Sequence, residues 1–105
     1  MIKPIKIINV KPYEIVCEFN NGEVKKINME HILKNNTANV NTQKLLTPDF
    51  FVTVALGELG QLYWNNTAKM KDAQGNYFVC EYDVSPEFIY FNSVSIDGAG
   101  ATPIP

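Results

Sequence analysis

The sequence contains no arginine, and all nine of its basic residues are lysines. Bidentate recognition of phosphate, carboxylate or guanine depends on the planar guanidinium group, which this chain does not carry. The lysines are scattered along the chain, and the formal net charge is -2. These features exclude the basic patch that is typical of proteins binding nucleic acid or an anionic membrane surface.

Cysteine and histidine are also scarce, with two cysteines, Cys17 and Cys80, and a single histidine, His31. The chain has no Cys-x-x-Cys pair, and one histidine cannot complete the ligand spacing of a zinc site. Both cysteines lie in apolar, strand-like segments, where a free cysteine behaves as a small hydrophobic residue. We therefore expect two core thiols, no metal and no cofactor.

Long apolar runs are missing, since no segment approaches the roughly 20 residues that a membrane-spanning helix requires. Near the N-terminus Lys3, Lys6 and Lys11 interrupt isoleucine and proline, unlike the continuous apolar region of a secretory signal. A chain of 105 residues suits one domain with a core that needs no disulfides. The sequence predicts a cytoplasmic protein that does not bind membranes.

The strongest structural signal is a β-hairpin over residues 15–27, where alternating apolar residues flank Asn21-Gly22. Asn and Gly tolerate the positive φ angles of a tight hairpin turn. A two-residue loop is favoured, and it pairs Phe19 with Val24, Glu18 with Lys25 and Val16 with Ile27. A three-residue loop with Gly22 in a bulge is the second choice, and it sets Glu18 against Val24.

Other strands are predicted from short apolar stretches bounded by turns. Residues 4–10 form a first strand that ends at Lys11-Pro12, because proline removes a ladder donor. Residues 52–56 and 61–64 form a second hairpin around the glycine-containing turn at 57–60, and Asn65-Asn66 ends it. Residues 77–82 form a further strand after the turn at Gly75.

Three short helices are indicated by their start signals. Asn28 precedes a helix over residues 29–34, and Thr47-Pro48 precedes a single turn. Ser85-Pro86 precedes a helix over residues 86–92 with an apolar body of Phe88, Ile89, Tyr90 and Phe91. Residues 35–42 are polar and without periodicity, which predicts an exposed loop.

Together these segments predict an α+β fold. We expect an antiparallel or mixed sheet of about five or six strands, built from hairpins, with two or three short helices. Residues 1–95 form the single domain, and residues 96–105, rich in Gly, Ala and Pro, form a flexible tail.

Several segments also carry a family resemblance. In order they are Phe19-Asn20-Asn21-Gly22-Glu23, Leu45-Leu46, Phe51, Trp64-Asn65-Asn66, and the run from Asp83 through Ser85-Pro86-Glu87 to Tyr90. In this order and spacing they resemble the bacterial domain of unknown function 2442 family over residues 5–93. The structural positions of these motifs are Gly22, Asp83, Pro86 and Tyr90. The resemblance implies a compact α+β domain without established activity, encoded beside a small protein in the manner of a toxin and antitoxin pair.

Few side chains suggest catalysis. His31 lies beside Glu30, but a general base also needs an orienting carboxylate and a pocket. Asp83 and Glu87 are predicted at a helix start, where carboxylates complement the helix dipole. Cys80 would need a neighbouring base to act as a nucleophile. A small hydrolase or transferase using His31 and Asp83 is therefore the alternative hypothesis.

The segment Tyr63-Trp64-Asn65-Asn66 holds the interaction candidates. Its tryptophan either caps the core or anchors a partner, since Trp and Tyr dominate interface energetics. We favour the core for Trp64, because Leu62 lies on the same strand face. The preferred function is a non-catalytic interaction module whose partner is a small protein or a second copy of the chain. Such a module predicts an exposed apolar patch around the end of that strand or an unprotected sheet edge, whereas an enzyme predicts a deep pocket with converging ionisable groups.

Overall fold

The computed structural model describes residues 1–35 and 40–96 of the chain. Within these residues the polypeptide forms two antiparallel sheets and four short helices. The strands are β1 (Pro4–Lys11), β2 (Glu14–Phe19), β3 (Val24–Asn28), β4 (Ala55–Leu56), β5 (Leu62–Lys71), β6 (Tyr77–Val84) and β7 (Ser93–Ser95). The helices are α1 (Glu30–Lys34), α2 (Val40–Leu45), α3 (Pro48–Phe51) and α4 (Pro86–Phe91).

The α+β class and the antiparallel pairing are confirmed. The structure differs from the prediction in dividing the strands between two sheets, with the orders β1-β2-β3-β7 and β4-β5-β6. Helices α1 to α3 stand between β3 and β4 in the chain, and β3 pairs with the late strand β7. Of the predicted tail at residues 96–105, residues 97–105 lie outside the described residues, and Ile96 donates its N–H to the Val24 carbonyl.

The hairpin of β2 and β3 forms where it is predicted, but the favoured register is wrong by one residue. Glu18 pairs with Val24, and Ile15 pairs with Ile27. Ile15 and Ile27 are both fully buried, and directly opposed residues share a sheet face. The two-residue loop would instead oppose Ile27 to Val16, on the other face of β2, and so expose a core side chain.

The loop itself has three residues and uses glycine at the position that requires it. The Gly22 N–H donates to the Phe19 carbonyl, and the Phe19 N–H donates to the Glu23 carbonyl. Gly22 has a φ of +90°, which is typical of a glycine bulge closing a three-residue hairpin. The Asn21 carboxamide oxygen accepts the Glu23 N–H at 3.0 Å and braces the turn.

The first helix begins one residue later than predicted, and the second helix was not predicted. α1 begins at Glu30, and the Asn28 side-chain oxygen accepts the Glu30 N–H at 2.9 Å, although the cap position itself is Met29. The loop predicted over residues 35–42 is wrong for its last three residues, because α2 begins at Val40. Residues 36–39 lie outside the described residues. The sequence of α2 has only a weak hydrophobic periodicity. Tertiary packing stabilises the helix, because Leu45 at its end is fully buried in the core.

The helix starts at Pro48 and Pro86 are confirmed. Pro48 opens α3 after Thr47, whose side chain makes no capping hydrogen bond. Pro86 opens α4, and the Ser85 hydroxyl accepts the Phe88 N–H at 3.2 Å. This is the N-cap that the sequence predicts.

Strands β5 and β6 are longer than predicted. Asn65-Asn66 does not end β5, which runs on to Lys71 because an irregular register between Trp64 and Ala68 absorbs the extra residues. β6 likewise extends to Val84, so Asp83 lies in a strand and not at a helix start. The pairing of Leu62 with Val84, both buried, keeps β6 extended up to the Ser85 cap.

Both sheets contribute to one hydrophobic core, with the helices packed into it. Its large members are fully or almost fully buried, which explains why two small sheets form one unit. From the sheets they are Ile15, Cys17, Phe19, Ile27, Leu62, Trp64 and Val84, and from the helices and connections Met29, Leu33, Leu45, Phe51 and Ile89.

Candidate functional site

Trp64, the central residue of the interaction segment, lies inside the core. Its side chain is 0% exposed, and its indole N–H donates to the Phe51 carbonyl at 2.8 Å. The Trp64 ring lies 5.6 Å from the Phe51 ring and 6.1 Å from the Tyr82 ring. Tyr13 extends the cluster, with its ring 5.3 Å from Phe51 and its hydroxyl donating to the Leu46 carbonyl. Trp64 therefore supports the fold and does not itself face a partner.

Tyr63 and Asn65 lie on the opposite face of the same strand, because successive residues of β5 alternate between faces. They line a hollow of about 500 Å3 on the outer side of the second sheet. We call this the acidic hollow, and its lining includes Leu56, Glu58, Gln61, Tyr63, Asn65 and Glu81. Tyr63 is half-buried and Asn65 is exposed, while the backbone of Asn66 continues β5.

The acidic hollow carries negative charge without a lining cation among the described residues. Glu58 belongs to the turn between β4 and β5, and Glu81 belongs to β6. Asp83 pairs with Tyr63 across the two strands and so shares the outer face. In the described part of the chain the ion pairs involve Glu14 and Glu30, and none involves these three carboxylates.

Three exposed apolar side chains lie in α4 and β7. Phe88 and Phe91 are neighbours on one side of the helix, and Val94 follows at the centre of β7. Their side chains are 38%, 80% and 62% exposed respectively. Among the described strands β7 pairs only with β3, so it lies at the edge of the first sheet. We refer to Phe88, Phe91 and Val94 as the α4–β7 surface.

Two motifs of the family resemblance meet in space beside this surface. The Tyr90 hydroxyl donates to Glu23 Oε1 at 2.6 Å, and the Lys25 ammonium lies 3.7 Å from the centre of the Tyr90 ring. Lys25 also donates to the Tyr90 carbonyl at 3.1 Å. The Tyr90 hydrogen bond, followed by that of Asn21, lowers the pKa of Glu23, and the same hydrogen bond raises the pKa of Tyr90. These contacts fasten α4 to the β2–β3 hairpin.

The structure does not bring His31 and Asp83 into one cavity. His31 is exposed on α1 and lines a shallow depression with Asn28, Glu30 and Lys34. Asp83 borders a different cleft, of about 210 Å3, where α1, β6 and α4 meet. The two depressions share no lining residue. Catalysis by this pair would need both groups at one substrate.

Cys17 is a free, buried thiol, as predicted from its apolar context. Burial raises its pKa to about 11, which keeps the sulfur protonated and unreactive. The prediction for the Cys80 thiol lies outside the described side chains. Among the described residues, no three or more His, Cys, Asp or Glu side chains are grouped so that they could hold a metal ion. In the same residues, no helix has the length and apolar character needed to cross a membrane.

Comparison of the chain with models of protein families, with curated proteins and with solved structures found no match. The resemblance to the domain of unknown function 2442 family therefore stays a prediction. The fold defines the class of this protein as a small α+β domain, and in the described part of the chain Phe91 is 80% exposed.

Four exposed residues were not predicted as functional candidates from the sequence: Glu58, Glu81, Phe91 and Val94. Strand alternation in β6 was a usable signal for Glu81, since Tyr82 and Val84 face inward. The exposure of Phe91 was not predicted, because Phe91 belongs to the continuous apolar run of α4. A six-residue helix, however, buries only one of its sides. No local sequence pattern predicted the strand that contains Val94, because β7 forms only by pairing with β3.

Proposed function

We propose that this protein is a non-catalytic interaction module of the cytoplasm that binds a small protein partner, as an antitoxin-like domain does. In this proposal the α4–β7 surface contacts the partner protein. The alternative partner at the same surface is a second copy of the chain. Nucleic acid is not a partner in this proposal, because the chain has no arginine and a net charge of -2.

The observation that carries the proposal is the exposure of Phe91. Phe91 is 80% exposed and Phe88, three residues earlier, is 38% exposed, so a partner that covers them removes apolar surface from water. Aromatic residues of this kind supply much of the binding energy in protein interfaces. Because Trp64 is buried in the core, the residues proposed to anchor the partner are those of the α4–β7 surface and not Trp64.

The test is capture of the tagged full-length protein from cells that produce it, followed by mass spectrometry and light scattering. We expect one small protein at fixed stoichiometry, or a defined dimer of the purified chain. Phe91→Ser should weaken either association by about tenfold or more, because it removes the most exposed aromatic side chain among the described residues.

Tyr77→Ser is the matched control. Tyr77 is 72% exposed but lies at the start of β6, away from α4, so its removal should leave association unchanged. A Phe91→Ser protein that keeps its partner at wild-type stoichiometry would contradict the proposed contact. A wild-type chain that stays monomeric and captures nothing reproducibly would contradict the proposed function.

A further inference from the structure

The loop of the β2–β3 hairpin contains a chemically reactive pair, Asn21-Gly22. In an Asn-Gly sequence the glycine nitrogen can attack the asparagine side-chain carbonyl, because glycine has no Cβ atom to hinder the approach. Both residues are exposed, and a Cβ atom at Gly22 would meet no described atom within 4 Å. Water therefore has access to the pair from the outer side of the turn.

The reaction open to this pair is deamidation, and its co-reactant is water. The Gly22 nitrogen loses its proton and bonds to Asn21 Cγ, the bond from Cγ to Nδ2 breaks, and Nδ2 leaves with that proton as ammonia. Water then opens the resulting succinimide ring at one of its two carbonyls. The product is aspartate or isoaspartate, and in isoaspartate the main chain runs through the side-chain carbons.

The folded turn holds both reacting groups in hydrogen bonds. The Gly22 N–H donates to the Phe19 carbonyl at 2.9 Å, which retains the proton that the attacking nitrogen must lose. The Asn21 carboxamide is bound at both ends by Glu23, because Oδ1 accepts the Glu23 N–H at 3.0 Å and Nδ2 donates to Glu23 Oε1 at 2.6 Å. An ionised carboxylate only accepts hydrogen bonds, so it cannot protonate the leaving nitrogen. Attack by Gly22 therefore requires the carboxamide to leave Glu23.

The Glu23 side chain is itself held by elements that are distant in the chain. The Tyr90 hydroxyl of α4 donates to the same Oε1 atom at 2.6 Å, and the Ser95 hydroxyl of β7 lies 3.5 Å from Oε2. Asn21 and Tyr90 thus donate to one carboxylate oxygen. Two short hydrogen bonds in series join the reactive turn to α4.

We propose that Asn21 is a deamidation site whose rate is set by the docking of α4 on the hairpin. While the Tyr90 hydroxyl holds Glu23, the Asn21 carboxamide stays bound to Glu23 and the reaction is slow. Release of the Tyr90 hydroxyl frees the Glu23 side chain, and the carboxamide can then turn towards the Gly22 nitrogen.

Deamidation also removes the contact that restrains it. The new carboxylate takes the place of the Nδ2 donor beside the Glu23 carboxylate, and like charges repel. Isoaspartate adds a main-chain atom to a loop that is closed by hydrogen bonds between Phe19 and the residues Gly22 and Glu23. Both products therefore weaken the fastening of α4, the helix that carries Phe91.

The experiment incubates the full-length protein at constant temperature and mildly alkaline pH, and follows the peptide that contains Asn21 by mass spectrometry. The mass change from carboxamide to carboxylic acid reports the reaction, and chromatography separates the aspartate and isoaspartate peptides. We expect the folded wild type to react about tenfold more slowly, or slower still, than the same chain in guanidinium chloride, because the reaction needs an opened turn.

Tyr90→Phe is the variant that tests the coupling to α4. Tyr90 lies 67 residues from Glu23, so the sequence around Asn21 is unchanged. The variant should react roughly fivefold faster than wild type when folded, because a hydrogen bond to a carboxylate is lost, and at the wild-type rate in guanidinium chloride.

Two control variants separate this coupling from other effects. Tyr77→Phe removes a hydroxyl from an exposed ring of β6 and should react like the wild type. Trp64→Phe controls for a general loss of stability, because the Trp64 indole lies in the core, bonded to the Phe51 carbonyl. It should also react like the wild type, since the Tyr90 hydroxyl remains.

Three results would overturn the proposal. Equal rates for folded and unfolded wild type would show that the turn does not protect Asn21. An unchanged rate in Tyr90→Phe, or an equal increase in Trp64→Phe, would show that α4 does not set the rate. An unfolded chain that forms no product at Asn21 would show that the residue is not a deamidation site.

Discussion

At the scale of single residues, two neighbours in β5 have opposite environments. Trp64 is fully buried and bonded to the Phe51 carbonyl, whereas Tyr63 lies half-buried on the outer face. The cause is the two-residue period of a strand, which turns adjacent side chains to opposite faces. A motif read as one unit in the sequence thus supplies one residue to the core and another to the outer surface.

Trp64→Ala should reduce the free energy of unfolding by about 3 to 5 kcal/mol, because it leaves a large cavity in the shared core. Trp64→Phe should cost about 1 to 3 kcal/mol, since it removes the indole N–H that donates to the Phe51 carbonyl and part of a buried ring, and leaves that carbonyl with the longer hydrogen bond from the Val54 N–H. Urea denaturation of both variants measures these losses. A loss below about 1 kcal/mol for Trp64→Ala would contradict a core role.

At the scale of elements, the hairpin and α4 depend on each other. Glu23 follows the hairpin turn, and its carboxylate accepts the Tyr90 hydroxyl from α4. The register with a three-residue loop is set by burial of Ile27 opposite Ile15, not by the turn residues alone. Local turn chemistry allowed two registers, and packing selected one of them.

The Glu23–Tyr90 hydrogen bond predicts a pH dependence of stability. Because the folded-state pKa of Glu23 is lowered, its stabilisation is present above the unfolded pKa and is lost as pH falls through the folded pKa. Because the pKa of Tyr90 is raised, its stabilisation is present below the unfolded pKa and is lost as pH rises through the folded pKa. The contact is therefore fully formed at neutral pH.

Tyr90→Phe should reduce the loss of stability at both acidic and alkaline pH, because the hydroxyl that joins Tyr90 to Glu23 is removed. Urea midpoints at acidic, neutral and alkaline pH measure the effect, and the difference from wild type should be greatest at neutral pH. Tyr77→Phe, at an exposed position of β6, should follow the wild-type profile. Parallel profiles for wild type and Tyr90→Phe would show that the hydrogen bond does not stabilise the fold.

At the scale of the whole molecule, two sheets approach each other at a turn of the second sheet. Gly60, in the β4–β5 turn, has a φ of +87°, and a Cβ atom there would lie 2.7 Å from the Lys3 Cβ. Lys3 directly precedes β1 of the first sheet. Glycine at this position lets the second sheet pack closely against the start of the first.

Gly60→Ala should destabilise the fold by about 2 to 3 kcal/mol, combining a left-handed backbone with a contact that must shift. Gly75→Ala is the matched control, because Gly75 has a φ of +86° with open space around it. It should cost about 1 kcal/mol from the backbone alone. Thermal and urea unfolding compare the two, and equal losses would contradict the close approach at Lys3.

The sequence by itself determined the features that depend on near neighbours in the chain. The hairpin at Gly22, the cap at Ser85 and the turn before α3 follow from the conformations of Asn, Gly, Ser and Pro. Alternation in β5 was enough to place Leu62 and Trp64 on one buried face. These are local preferences that the surrounding fold did not override.

Only the tertiary structure decided the features that depend on residues distant in the chain. Val94 enters a strand because Lys26 pairs with it, and Asp83 stays in β6 because Leu62 pairs with Val84. The acidic hollow forms because a turn and two strands bring Glu58, Tyr63 and Glu81 to one face. The energy of long-range pairing and shared burial fixes these positions, and no local sequence pattern encodes it.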